Sequence, residues 1–177
     1  MAENKKVFFP CAPENISGLE PFLKDADVYY TAESEDAAAA LEKKLCGICR
    51  CVGSCVTSEQ TFEKISEAVF EAADILGVIN TIVYAPELKA DGKVFLDLSA
   101  DDFTAHTTSL NAIFLICKCA LPYMLGTEGS TIAVVLPQEP VNAISQMYNG
   151  AISSVADAMN RELASYGVSV NIIQTAK

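Results

Sequence analysis

Residues 131–173 read TIAVVLPQEPVNAISQMYNGAISSVADAMNRELASYGVSVNII. The opening run, Thr131 to Leu136, is dominated by apolar and β-branched side chains, and Val168 to Ile173 (VSVNII) has the same character. Between them, Gln146 to Asn160 places Met147, Ala151, Ile152, Val155, Ala158 and Met159 at helical spacing. A strand, a helix and a second strand in that order predict a βαβ unit. Strands with no polar alternation suit a parallel sheet covered on both faces.

The same alternation extends upstream. Thr81 to Ala85 (TIVYA) reads as another apolar strand, followed by a loop over Pro86 to Gly92. Ser99, with Asp102 three residues on, predicts a capping box for a helix reaching Tyr123, with Leu110, Phe114, Cys117 and Leu121 as its stripe. Nearer the N-terminus, Lys6 to Pro10 (KVFFP), Asp27 to Thr31 (DVYYT) and Ile48 to Val52 read as strands. Helices are expected over Ile16 to Leu23, over Ser34 to Leu45 with acids first and lysines last, and over Ser58 to Leu76. Thr57 and Gln60 look like the capping box of that last helix, and Phe62, Ile65, Val69, Phe70 and Ala73 like its apolar face. The expectation is an α/β fold, a Rossmann-like doubly wound parallel sheet of about six strands, in one domain over 1–177.

The bulk numbers limit the function. With 177 residues, 51% of them hydrophobic and a mean hydropathy of +0.27, the chain needs either a large core or apolar surface covered by a partner. A formal charge of -11, with only 12 lysines and arginines, argues against nucleic acid, whose binding depends on cations releasing counterions. No run approaches the ~18 apolar residues of a membrane helix, and MAENKK does not lead into a signal segment, so no membrane role and a cytoplasmic location are expected. Seven cysteines, an odd number, read as reduced thiols.

Five blocks in order carry a family resemblance: NTIVYAP, LSADDFTAHTTSLNAIFLICKCALPYM, GSTIAVVL, the helix at Tyr148, and RELASYGVSVNII. From Val78 onward the chain resembles the short-chain dehydrogenase/reductase family. That resemblance implies an NAD(P)-binding Rossmann fold with a catalytic asparagine, serine, tyrosine and lysine. Compared residue by residue, Asn111 and Tyr148 match, whereas Ile152 stands where the Tyr-x-x-x-Lys pattern puts the lysine. Val134, Val135, Leu136 and Pro137 occupy the region of the serine, and Tyr84-Ala85-Pro86-Glu87 that of the family's N-N-A-G. The T-G-x-x-x-G-x-G turn corresponds to Pro10-Cys11-Ala12-Pro13-Glu14-Asn15-Ile16-Ser17, where Cys11, Asn15 and Ser17 take the place of the glycines. Glycines let the backbone approach a pyrophosphate, and Glu14 would add a negative charge beside it. The family also continues past its sixth strand into a substrate lid and a seventh strand, which are not expected here after Thr175-Ala176-Lys177.

These departures predict a chain with no catalytic residues and no bound cofactor, Asn111 and Tyr148 being relics. In this family the two corresponding helices pair across a four-helix subunit interface. The resemblance therefore implies an intact family member as partner, carrying the NAD, and Asn111, Phe114, Met147, Ala151, Ile152, Val155 and Met159 as contact residues. Two other readings are open: a stand-alone ligand-binding or regulatory homodimer, and an atypical active oxidoreductase using Tyr148 alone.

The remaining chemical feature is Cys46-x-x-Cys49-x-Cys51-x-x-x-Cys55. Thiolates at such spacing can hold zinc or an iron–sulfur cluster. On one strand, however, Cys49 and Cys51 would lie about 7 Å apart on one face, and extended backbone does not wrap an ion. These cysteines are expected to pack as small buried hydrophobes, with Cys46, Cys49, Cys51 and Cys55 the weak alternative for metal. The single histidine, His106, is expected on a solvated helix face.

Overall fold

The computed structural model describes residues 5–12, 16–57, 59–86, 93–137 and 142–175. Six parallel strands form one sheet: β1 Lys6–Phe9, β2 Asp27–Ala32, β3 Arg50–Val56, β4 Thr81–Tyr84, β5 Ser130–Pro137 and β6 Val168–Thr175. Their order across the sheet is β3-β2-β1-β4-β5-β6, the doubly wound arrangement expected. The helices are α1 Glu20–Leu23, α2 Glu35–Leu45, α3 Phe62–Leu76, α4 Ala100–Met124 and α5 Ala143–Leu163. No helix among the described residues is long and apolar enough to cross a membrane.

Period-two alternation along the strands divides the core. Phe8, Tyr29, Ile82, Tyr84, Ile132 and Val134 face α3, α4 and α5, whereas Val7, Phe9, Val28, Tyr30 and Val83 face α1 and α2. Both faces of the central strands are thereby covered, which explains their lack of polar alternation.

Local signals set several boundaries as expected. The capping box at α4 is present: Ser99 Oγ accepts from Asp102 N at 3.2 Å, and Asp102 Oδ2 accepts from Ser99 N at 2.7 Å. Ser34 caps α2, which has Glu35 and Asp36 first and Lys43 and Lys44 last.

Other expectations need correction. The helix placed over Ile16 to Leu23 is the single turn α1, because Gly18 turns the chain at φ 82 and Pro21 is tolerated only in the first turn. Strand β3 starts two residues later than read and runs to Val56. The cap of α3 is Thr61, whose side chain accepts from Lys64 N, so the Thr57–Gln60 box does not form. Phe62 and Phe70 lie outside the buried face of α3, which Ile65, Ala68, Val69, Ala72, Ala73 and Leu76 make instead. The buried stripe of α4 is His106, Ala112, Ile113, Ile116, Cys117, Ala120 and Met124. Phe114 is exposed, and Leu110 and Leu121 lie at its edge. Helix α5 begins earlier than read, because the Asn142 side chain accepts from Ser145 N at 2.9 Å. Positions 87–92 of the expected loop lie outside the described residues.

Gly53 in β3 is a close-approach site. A Cβ there would stand 2.9 Å from Cδ2 and Cε2 of the buried Tyr29 ring and 3.2 Å from Ile75 Cδ1. Gly53→Ala is therefore expected to cost about 1–3 kcal/mol, read as a shift in urea midpoint. An unchanged midpoint would show that the ring can move aside.

Candidate active-site cleft

Doubly wound sheets bind ligands beyond the carboxyl ends of their strands, where the strand order reverses. Here that point lies between β1 and β4, at Pro10-Cys11-Ala12 and Tyr84-Ala85-Pro86. Cys11 sits at φ 52, a left-handed conformation that suits glycine and costs a residue with a Cβ about 1 kcal/mol. Its N–H donates to Thr31 Oγ1 at 2.9 Å, and the Ala12 N–H donates to the Thr31 carbonyl at 3.3 Å. The amides of Cys11 and Ala12 are thus taken by the protein itself. The next helix, α1, is a single turn with Glu20 at its start, so it offers an anion little. These described residues do not fit a dinucleotide pyrophosphate. Asn15 lies outside the described residues, and Ser17 is exposed in the turn before α1.

The Cys11 thiol accepts from Gln60 Nε2 at 3.4 Å and is pushed up to about 12 by burial, with the Glu33 charge adding to the effect. It is a neutral thiol at pH 7 and a poor nucleophile.

Tyr148 is 1% exposed, and its hydroxyl has no hydrogen-bond partner among the described residues. Burial raises its pKa above the ordinary phenol value. The neighbouring Tyr84 hydroxyl donates to the Ser109 carbonyl at 2.7 Å, and burial raises its pKa as well. Ile152, where the lysine is expected, is 0% exposed and belongs to the apolar cluster shared by α4, α5 and the sheet. No ammonium stands there to lower the Tyr148 pKa.

Two residues of this region escaped the sequence reading. His106 is 5% exposed, not solvated, and its ring meets Tyr148 edge-on with centroids 6.0 Å apart. Its Nδ1 lies 2.8 Å from the Asp102 carbonyl, which assigns the proton to that nitrogen, and its Nε2 is buried with no partner among the described residues. The signal was available: 106, 113, 117, 120 and 124 share one helical face. Ser145 is the second, buried at the head of α5 with its hydroxyl donating to Asn142 Oδ1 at 2.9 Å.

The other candidates fall elsewhere. Asn111 is exposed on α4, whereas Tyr148 is sealed. Among the contact residues expected on α4 and α5, Phe114 and Met147 are exposed, and Ala151, Val155 and Met159 are half-buried. Ile152 must be withdrawn from that set, because it packs into the chain's own core.

The cysteines also differ from expectation. Gly47 turns the chain at φ 89, so Cys49 precedes β3 and touches Cys46 only through an isolated bridge. Cys46 is exposed, and Cys49, Cys51 and Cys55 are half-buried at the sheet edge rather than fully packed. The Cys51 thiol and burial together push the Cys49 thiol up. Among the described residues, no three His, Cys, Asp or Glu side chains are grouped to hold a metal ion.

A family model described as Enoyl-(Acyl carrier protein) reductase matches residues 24–176. No curated protein matches the chain by sequence. Solved structures do resemble it. A short-chain oxidoreductase from Pseudomonas aeruginosa PAO1, described as containing an atypical catalytic center, has a TM-score of 0.80 at 16% identity, over 95% of this chain and 68% of that one. A short-chain dehydrogenase/reductase (glucose/ribitol dehydrogenase) from Brucella melitensis has 0.79 at 22%, over 98% and 76%. An NADH-dependent enoyl-[acyl-carrier-protein] reductase from Aquifex aeolicus VF5 has 0.75 at 17%, over 98% and 82%. At these identities the structures speak for the fold, and the family model speaks for descent. The match over residues 24–176 places this chain in the short-chain dehydrogenase/reductase family.

Proposed function

We propose that this chain is a non-catalytic structural subunit of a hetero-oligomeric, NAD-dependent short-chain dehydrogenase whose other subunit is an intact family member. The observation that carries the reading is Ile152, fully buried and apolar one turn after a sealed Tyr148. A general acid or base works best with a pKa near the working pH, and Tyr148 is shifted away from it, with no ammonium at position 152 to bring it back. The amides of Cys11 and Ala12 are committed to Thr31, which favours NAD residing in the partner.

The partner would meet α4 and α5 through the exposed Phe114 and Met147, with Asn111, Ala151, Val155 and Met159 around them. The arrangement resembles the inactive chain of the benzylsuccinate-pathway dehydrogenase of anaerobic toluene degradation. By that analogy the partner's substrate is a hydroxyacyl-CoA such as 2-(hydroxy(phenyl)methyl)succinyl-CoA.

The test is co-expression with a candidate intact short-chain dehydrogenase, sought first in a neighbouring reading frame. Co-elution at fixed stoichiometry is expected, with loss of the complex in Met147→Asp. A clean homodimer that ignores the dehydrogenase, or saturable NAD(H) binding by this chain alone, sinks the proposal.

A further inference from the structure

Helix α4 packs against α3 on one flank and α5 on the other. On the α3 flank the two helices leave a groove of about 610 Å³. Phe62 and Phe70, two helical turns apart on α3, line it together with Tyr123 of α4, and they are 53%, 64% and 37% exposed. Three aromatic rings at one groove leave apolar area in water that a folded domain normally covers. None of them contributes to the core, because the inward face of α3 is already filled by other residues.

The charge around the groove selects its occupant. Glu63 and Glu67 line it, and Glu71 and Asp74 continue the same acidic run along the exposed side of α3. The lining cation, Lys118, sits over the Phe114 ring at 5.9 Å from its centroid. Lys64 pairs with Glu67 at 2.8 Å, but both are exposed and such a pair holds weakly. A second copy would bring another surface of net charge -11, and a nucleic acid or an anionic bilayer would be repelled as well.

We propose that this groove docks a basic amphipathic helix of another protein. Large apolar side chains would seat among Phe62, Phe70 and Tyr123, and lysines or arginines one turn away would face Glu63 and Glu67, the helix-in-groove mode of recognition. The groove adjoins the Phe114 and Met147 face at Lys118, but Phe62, Phe70 and Tyr123 are not among that face's contact residues, and the inference stands whether or not the chain is a dehydrogenase subunit.

The test uses the full chain and a fluorescein-labelled helical peptide of leucines and lysines at amphipathic spacing, with a glutamate-for-lysine counterpart, read by fluorescence anisotropy. Saturable binding of the lysine peptide alone is expected, weakened about tenfold or more by Phe70→Ala and by the double reversal Glu63→Lys, Glu67→Lys. Phe70 and both glutamates are exposed, so the variants should keep the wild-type circular dichroism, the double reversal lowering the melting point by a few degrees through loss of Glu63 from the first turn of α3 and of the Lys64–Glu67 pair. Equal binding of both peptides, or no effect of Phe70→Ala, overturns the proposal. A concentration-dependent dimer abolished by Phe70→Ala would also overturn it, making a second copy the occupant.

Discussion

Replacing Ile152 with lysine is expected to destabilise the fold by about 4 kcal/mol and to yield no NAD(H)-dependent turnover. The side chain is 0% exposed and lies in the cluster that holds α5 against α4 and the sheet. An ammonium placed there loses its hydration with no carboxylate evident in the cluster to replace it. For a chain of this size that loss corresponds to a fall of roughly 8–16 °C in Tm. The sign of the pH dependence follows from burial: the folded-state pKa of the new lysine is depressed, so the penalty is complete below that value, shrinks as pH rises through it and vanishes above the unfolded value of about 10. Ile152→Val, which keeps the site apolar, should cost only about 1 kcal/mol. A lysine variant with unchanged Tm, or one that oxidises alcohols, would mean that the α5 head is open to a cleft and that the proposed function is wrong.

The second large effect is expected at Asp27, where Asp27→Asn should cost about 2–3 kcal/mol at pH 7. Asp27 is buried at the start of β2, with Oδ2 2.5 Å from Lys6 Nζ and Oδ1 2.6 Å from Arg50 Nε, so one carboxylate joins the first residues of β1, β2 and β3. The figure sits below that for a wholly buried pair because the Arg50 side chain is mostly exposed and can return to water. Hydrogen bonds from Arg50 and Lys6 hold the Asp27 carboxyl well below the usual carboxylate range. A depressed folded-state pKa gives stability that is fully present above the unfolded value of about 4 and is lost as pH falls toward the folded value. The gap between wild type and Asp27→Asn in thermal melts should therefore stay constant from pH 7 down to about 4 and close below that. A gap that persists into strong acid would show that packing, not charge, is what the asparagine disturbs.

Much of the fold was legible because its signals are local. Runs such as TIVYA and TIAVVL mark parallel strands by composition alone, and Ser99 with Asp102 fixes the start of α4 through bonds three residues apart. What misled was also local. Ile48 and Cys49 look like strand residues, but Gly47 turns the chain before Arg50 pairs with β2. Phe62 and Phe70 look like core residues because aromatics usually are, yet Ile65, Val69 and Ala73 occupy the face that meets the sheet.

The sequence by itself determined the succession of strands and helices, the family, and the replacement of the glycines and the lysine, since each of these is a matter of residue type and spacing along the chain. Only the tertiary structure decided what the replacements became. Cys11 keeps a glycine-like backbone and gives its amide to Thr31, while Tyr148 and His106 meet inside the protein from helices about forty residues apart by the numbering of this chain. Ile152 turns inward while Met147, five residues before it, stays exposed. Those outcomes depend on how α4 and α5 rotate as they pack on the sheet, a choice made by the fit of whole helix faces and not by any single residue's preference.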